Sequence, residues 1–200
     1  MASCCDVRPV HARQRRALQV VLGINAAMFL VELTAGLAAH STALLADSMD
    51  MLGDALVYGF SLYVIGRVPA WQARAALLKG IVMASFGAGV LAEIATKLAR
   101  GVTPEAGIMS IVALGALVAN AAVLLVLWRH RGDDINMRSA WLCSRNDVLA
   151  NGGVLVAALG VAATGSPWPD ILVGLAIATL FGASALVVIR QALAMARPAR

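Results

Sequence analysis

The chain has 200 residues, of which 60% are hydrophobic and only 14% are charged. Soluble domains carry about 25% charged residues, so this composition excludes an ordinary soluble enzyme or binding module and indicates a membrane protein. The net charge of +5 does not indicate a nucleic-acid partner, because the basic residues are dispersed at the ends of apolar segments.

The N-terminal segment, residues 1–16, is basic and is predicted to be a cytoplasmic tail. It contains Cys4, Cys5 and His11, whose thiols and imidazole could capture a soft or borderline cation. The alternative is a basic tail in which the cysteines are incidental. The apolar segment that follows is too long for the core of a cleavable signal peptide, so it predicts a retained first helix.

The apolar segments predict an all-α membrane domain of six transmembrane helices over residues 17–191, followed by a short cytoplasmic tail over 192–200. The predicted helices are residues 17–39, 44–65, 75–98, 108–128, 139–163 and 170–191. Basic residues concentrate at one set of helix ends, whereas the opposite ends carry only Lys97 and Arg100. The positive-inside rule therefore places both termini in the cytoplasm, and we expect an integral protein of the bacterial inner (plasma) membrane.

The second predicted helix carries an unusual row of acidic residues. Asp47, Asp50 and Asp54, followed by Tyr58 and Ser61, share one helical face because they recur every three or four residues. A carboxylate in hydrocarbon costs about 3 kcal/mol or more, so this face needs water, protons, a basic residue or a metal ion as a partner. No basic residue lies within this helix, and the pattern therefore favours an ion or proton pathway. The alternative is neutral carboxyl groups in a packed bundle.

The fifth predicted helix carries a matching pair, Asp147 and Asn151, four residues apart on one face. Helices 2 and 5 are predicted to be antiparallel, and Asp54 and Asn151 lie near their midpoints. The pair Asp50 and Asp54 can therefore meet Asp147 and Asn151 near mid-membrane. Four side-chain oxygens are enough for a cation site of manganese, cobalt, cadmium or zinc. Carboxylates that lie close together cannot all stay ionised when the site is empty, so some of them are expected to carry protons. A cation that enters is therefore expected to displace these protons.

Helix 1 adds two buried polar candidates, Asn25 and Glu32, which are seven residues apart and share a face. Glu32 either handles protons or supports the ligand residues, or it is protonated and hydrogen-bonded to a neighbouring helix. Near the end of helix 3, Glu93 is expected to reach lipid headgroups or Lys97. The segment His40 to Thr42 is expected only to turn the chain.

Two rows of small residues predict close packing of helix 3 on helix 6, because small side chains let helix backbones approach each other. The rows are Gly80, Ala84, Ala88 and Ala92 on helix 3 and Gly174, Ala178 and Gly182 on helix 6.

Three segments together resemble the cation diffusion facilitator family of divalent-metal transporters. They are STALLADSMDMLGDAL on helix 2, DVLANGGVLVAA on helix 5 and PDILVGLAIATLFGASALVV on helix 6. The resemblance covers essentially the whole chain except the N-terminal tail. It implies six helices with both termini cytoplasmic, helices 3 and 6 paired apart from the other four, and export of a divalent cation by alternating access in exchange for protons.

The resemblance also implies the ligand set. In the family a D/H-x-x-x-D motif on each of helices 2 and 5 holds the metal, which corresponds here to Asp50, Asp54, Asp147 and Asn151. Asp47 matches a frequent aspartate outside this set, and we expect it, with Glu32 and Asn25, to support the ligands or to form a proton pathway.

Two features depart from the family pattern. The helix 5 motif ends in Asn151, and no histidine occupies any of the four positions. Zinc-type members usually carry histidine there, whereas D-x-x-x-N is similar to the manganese-type branch. We expect zinc to be transported, with cobalt, cadmium and manganese as alternatives.

The second departure is at the C-terminus. The chain ends at Arg200, where typical members continue into a cytoplasmic metal-binding domain. We therefore expect a short form that dimerises through its membrane helices.

Two other functions would use parts of the same pattern. A membrane metal sensor or buffer would need only the cation site and the cysteine-containing tail. An intramembrane aspartyl protease would use Asp54 and Asp147 as a dyad, but the chain has no Tyr-Asp motif and such a dyad leaves Asp50 and Asn151 unexplained. We expect no enzymatic activity and no resident cofactor. The expected partners are the metal cation, protons and the lipid bilayer, without nucleic acid.

Overall fold

The computed structural model describes residues 12–63, 69–128 and 135–196. Within these ranges the chain forms six α-helices and no strand, as the hydrophobic pattern predicts. The helices are α1 (Ala12–Ala38), α2 (Thr42–Tyr63), α3 (Pro69–Arg100), α4 (Ala106–Trp128), α5 (Ile135–Thr164) and α6 (Trp168–Ala196).

Five of the described helices are long and apolar enough to cross a membrane, and the sixth, α2, is the helix that carries the three aspartates. The outer surface of the bundle is apolar: Ile111, Leu125 and Leu180 are 70% exposed or more. Such a surface is unfavourable in water and matches the hydrocarbon of a bilayer. The all-α membrane fold is therefore confirmed.

Four helices extend further toward the predicted inner side than the sequence predicts. Helix α1 begins at Ala12 rather than residue 17, and α6 ends at Ala196 rather than residue 191. Helix α3 begins at Pro69 rather than residue 75, and α5 begins at Ile135 rather than residue 139. Proline fits the first turn of a helix because the backbone N–H that it lacks has no intrahelical acceptor there. The charged residues in these segments end the apolar span, but they do not end the helix.

The helices pack most extensively in three pairs, α1 with α2, α4 with α5, and α3 with α6. The pairing of α3 with α6 is as expected, and Gly80 of α3 lies directly against the side chain of Ile189. For Gly174, the first residue of the row on α6, the expectation is wrong. A Cβ atom on Gly174 would lie 2.7 Å from the backbone carbonyl carbon of Thr42, so this glycine lets α6 approach the start of α2 rather than α3.

Three short loops meet at one end of the bundle, which we call the outer end after its predicted orientation. They connect α1 to α2, α3 to α4 and α5 to α6. The N–H of Glu105 donates to the carbonyl of Ala39 at 3.0 Å, which joins the first loop to the second. His40 ends α1 with φ of 51°, and its neighbour Ser41 donates its N–H back to Gly36 at 2.9 Å. This hydrogen bond closes the last turn of α1.

The buried core consists of two apolar clusters with a polar layer between them. The outer cluster includes Leu44, Met49, Met109 and Ile171, close to the three loops. The inner cluster is formed by Ala17, Leu18, Val21, Tyr58, Val123 and Leu127. Residues 50 and 54 of α2 fall between the two clusters, and each keeps a small exposed fraction.

Candidate metal site

Helix α2 can carry carboxylates because its outer half has no surface toward lipid. Every residue from Ser41 to Met51 is buried, on all sides of the helix. Neighbouring helices α1, α3, α5 and α6 surround it. The side chain of Ser41 caps its first turn by accepting the N–H of Leu44 at 3.1 Å. The acidic face is therefore turned toward other helices, where partners for its oxygens can be supplied.

The structure brings the four predicted ligand residues into the interior between α2 and α5. Asp50 and Asp54 are each 8% exposed, Asp147 is 3% exposed and Asn151 is fully buried. Asp147 interacts electrostatically with Asp50 and Asp54, and its carboxyl group is within hydrogen-bonding reach of Asp50. Asp147 of α5 thus lies next to the aspartates of α2, as the antiparallel arrangement requires.

Two oxygens of this group have no hydrogen-bond partner in the described part of the chain, namely Asp147 Oδ2 and Asn151 Oδ1. The amide nitrogen of Asn151 donates a hydrogen bond to the backbone carbonyl of Asp147 at 2.8 Å. The side-chain oxygen of Asn151 is therefore the atom that could bind a cation. An unpaired buried polar atom costs about 1–3 kcal/mol. A cation that binds both oxygens would remove this cost, so the donor set fits a metal ion.

Tyr58 fixes the orientation of Asp54. Its hydroxyl donates to Asp54 Oδ2 at 2.9 Å, one turn further along α2. The side chain of Ser61, the last polar residue of the predicted acidic face, lies outside the described ones. In the described ranges, no three His, Cys, Asp or Glu side chains are close enough together to hold a metal ion. A bound cation would therefore have to draw the oxygens of α2 and α5 closer together.

Glu32 and Asp47 form a second acidic pair next to this group. Both are fully buried, and none of their four carboxyl oxygens has a hydrogen-bond partner among the described residues. Glu32 interacts electrostatically with Asp47 and with Asp50. Asn25 is also buried, and its amide donates to the carbonyl of Val21 at 2.9 Å. All three residues therefore lie inside the bundle, which is the location needed either to hold the ligand residues in place or to carry protons.

Residues 18–195 match the family model of the cation efflux transmembrane domain. The chain belongs to the cation efflux (cation diffusion facilitator) family. The metal cation efflux system protein CzcD of Cupriavidus metallidurans is 26% identical over 179 residues, which are 84% of this chain and 55% of that protein. The zinc transporter ZitB of Escherichia coli is 30% identical over 181 residues, which are 82% of this chain and 57% of that protein.

The cation efflux chain therefore spans little more than half the length of these curated relatives. Family membership and the five apolar helices make it an integral membrane protein. The bacterial sources of the relatives agree with the predicted location in the bacterial inner membrane. Cys4, Cys5 and His11 lie outside the described residues, so capture of metal by the tail stays a prediction.

The role of Asp170 in this cation efflux protein was not predicted from the sequence. The sequence indicated Lys97 as a basic residue at the outer end and a possible partner of Glu93, and Asp170 only as the start of helix 6. In the structure Lys97 Nζ contacts Asp170 Oδ2 at 2.6 Å, and both side chains are fully buried. Glu93 does not reach Lys97 but lies 3.9 Å from His40 Nδ1. The sequence did contain one indication of this pair, because the lysine and the aspartate lie at the outer ends of two helices and hence at the same predicted depth in the membrane.

The expectation for the segment His40 to Thr42 is also wrong, since it does more than turn the chain. The hydroxyl groups of Ser41 and Thr42 donate to the carboxylate of Asp170 at 2.5 and 2.6 Å. The first loop therefore fixes α2 to α6. The sequence offered no local signal for this contact, because the residues that form it are 128 and 129 positions apart.

Proposed function

We propose that the protein exports a divalent transition-metal cation across the membrane by alternating access and exchanges it for protons. The observation that carries this proposal is the pair of buried, unpaired oxygens on α5, Asp147 Oδ2 and Asn151 Oδ1, with Asp147 beside the aspartates of α2 in a member of the cation efflux family. The proposed ligands are Asp50, Asp54, Asp147 and Asn151. The metal is the substrate, and no resident cofactor is required.

Zinc is the first candidate for the transported ion, because one of the similar proteins is named a zinc transporter. The donor set itself contains only carboxylate and amide oxygens. Such a set accepts zinc, manganese, cobalt and cadmium, whereas thiolate or imidazole donors would favour the softer ions. The choice among these four ions therefore has to be made by measurement.

Proton exchange follows from the chemistry of the same oxygens. Carboxylates that lie close together repel one another when all are ionised, and a divalent cation and protons compete for them. A metal that enters releases protons, and protons that enter from the other side favour release of the metal. We propose that Asp47 and Glu32, buried beside Asp50, serve this exchange or hold the ligands in place.

Alternating access requires the two apolar clusters to open in turn. The outer cluster around Met49 and the inner cluster around Tyr58 enclose the polar layer. If only one cluster separates at a time, the cation is exposed to one side while the other side stays sealed. We further expect the lipid-facing helices to form a homodimer.

The test is metal uptake into sealed proteoliposomes with an acidic interior, which compares zinc, manganese, cobalt and cadmium. We expect uptake that depends on the pH gradient and is lost in Asp147→Ala. Glu105→Gln, which changes an exposed acidic residue of an outer loop, is the matched control and should transport normally. Metal binding without uptake would instead indicate a sensor or buffer, and normal uptake in Asp147→Ala would reject the proposed site.

A further inference from the structure

The carboxylate of Asp170, in the first turn of α6, is the acceptor of a dense group of hydrogen bonds at the outer end. Five donors reach its two oxygens, at distances between 2.5 and 3.1 Å. They are Ser41 Oγ and the N–H of Ala43 on Oδ1, and the N–H of Thr42, Thr42 Oγ1 and Lys97 Nζ on Oδ2. Together they join α2, α3 and α6, and we call this group the outer node.

Asp170 of α6 caps the N-terminus of α2, because it accepts hydrogen bonds from the first N–H groups of that helix. The first N–H groups of a helix have no intrahelical acceptor, and negative charge is favourable there. The N–H groups of Thr42 and Ala43 donate to Asp170, and Ser41 accepts that of Leu44. The end of the ligand-bearing helix is thus satisfied by α6, and Gly174, one turn later, allows the close approach.

Lys97 makes this contact electrostatically possible. It is among the largest fully buried side chains of the described residues, and its charge is balanced by Asp170. Removal of one member of a buried pair leaves an uncompensated charge, whereas removal of both does not. The node is therefore expected to be either fully formed or clearly separated, because an intermediate position would leave two buried charges partly unpaired.

The node and the metal ligands lie on the same rigid segment of α2. Asp50 follows Thr42 by eight residues, about 12 Å along the axis at 1.5 Å per residue. All of α2 between them is buried, whereas Asp50 and Asp54 keep a small exposed fraction. The outer half is thus the closed side in this structure, and the node lies where that side would have to open.

We propose that Lys97 and Asp170 are positioning residues for transport, which hold the first turn of α2 against α3 and α6 while the outer side is closed and separate when it opens. This inference rests on the proposed function for its purpose. Its structural content, a two-state contact that controls access to the outer half of α2, can be measured without metal.

The experiment uses the full chain in lipid nanodiscs, with its three native cysteines replaced by serine or alanine. Ser48→Cys reports on the outer half of α2, since Ser48 is fully buried and the exchange hardly changes the volume. Ala55→Cys reports on the inner half. A water-soluble maleimide reaches both faces of a nanodisc, so the result does not depend on the orientation of the protein in the membrane.

The double variant Lys97→Met/Asp170→Asn removes both charges of the node and leaves no unpaired one. We expect the labelling rate of the outer reporter to rise about tenfold or more, in proportion to the open fraction, while that of the inner reporter does not rise. Glu93→Gln is the matched control, because it lies one turn from Lys97 in a partly exposed contact, and it should change neither rate.

An unchanged outer rate would overturn the proposal, and so would an equal rise at both reporters, since the node would then only hold the fold together. If the double variant does not yield a monodisperse protein, Gly174→Ala replaces it, since it displaces α6 from α2 without changing a charge. If neither variant folds, the node is a folding element and the proposal is rejected. Absence of transport in the parent protein would reject the proposed function without changing the labelling result.

Discussion

The outer node makes a quantitative prediction about stability. In Asp170→Asn one oxygen can still accept from Ser41 and Ala43, but the new amide cannot accept from Thr42 or Lys97. Lys97 would be left as a buried, uncompensated charge, because its side chain is fully buried. Breaking such a pair costs about 3–5 kcal/mol. We therefore expect Asp170→Asn and Lys97→Met each to lower the free energy of unfolding by about this amount.

The double variant gives the sharper result. Lys97→Met/Asp170→Asn leaves no unpaired charge, so its loss of stability should be smaller than the sum of the two single losses by roughly 2 kcal/mol or more. Unfolding by a denaturing detergent, followed by circular dichroism, measures the three variants against the parent. A stability of Asp170→Asn within about 1 kcal/mol of the parent, or two single losses that simply add, would show that Lys97 and Asp170 are not coupled as a buried ion pair.

Three further changes have defined outcomes. Tyr58→Phe removes the hydrogen bond to Asp54, which is worth about 1 kcal/mol. The metal affinity measured by calorimetry should therefore change several-fold while the fold persists. An identical affinity would show that the tyrosine does not orient the ligand. Asn151→Asp adds a charged donor and should bind metal on the order of tenfold more tightly at neutral pH. Its affinity should fall more steeply than that of the parent as the pH decreases, and a parallel pH profile would contradict this. Gly174→Ala places a methyl group against the backbone of Thr42 and should lower the melting temperature, whereas Gly182→Ala, where a Cβ meets no atom within 4 Å, should not.

The six helices and the candidate ligands could be predicted because both depend on local spacing. Apolar runs of membrane length define the spans, and the intervals between Asp50, Asp54 and Asp147, Asn151 set which oxygens share a helical face. The depth at which the two pairs meet follows from the helix midpoints. These quantities need no knowledge of neighbouring helices.

The outer node could not be predicted in the same way, because it depends on contacts between distant parts of the chain. Lys97 and Asp170 are 73 positions apart, and a lysine at a helix end normally extends to the membrane surface. The role of Gly174 was assigned to the wrong neighbour for the same reason. A row of small residues predicts that some helix approaches closely, but not which one.

X-ray absorption spectroscopy of zinc bound to the purified protein identifies the atoms that hold the metal. We expect oxygen donors only, at about 2.0–2.2 Å, from Asp50, Asp54, Asp147 and Asn151. Asp147→Ala should lose this spectrum together with the bound zinc. A sulfur donor at about 2.3 Å, or an unchanged spectrum in Asp147→Ala, would contradict this ligand assignment, since the metal would then be held elsewhere in the chain.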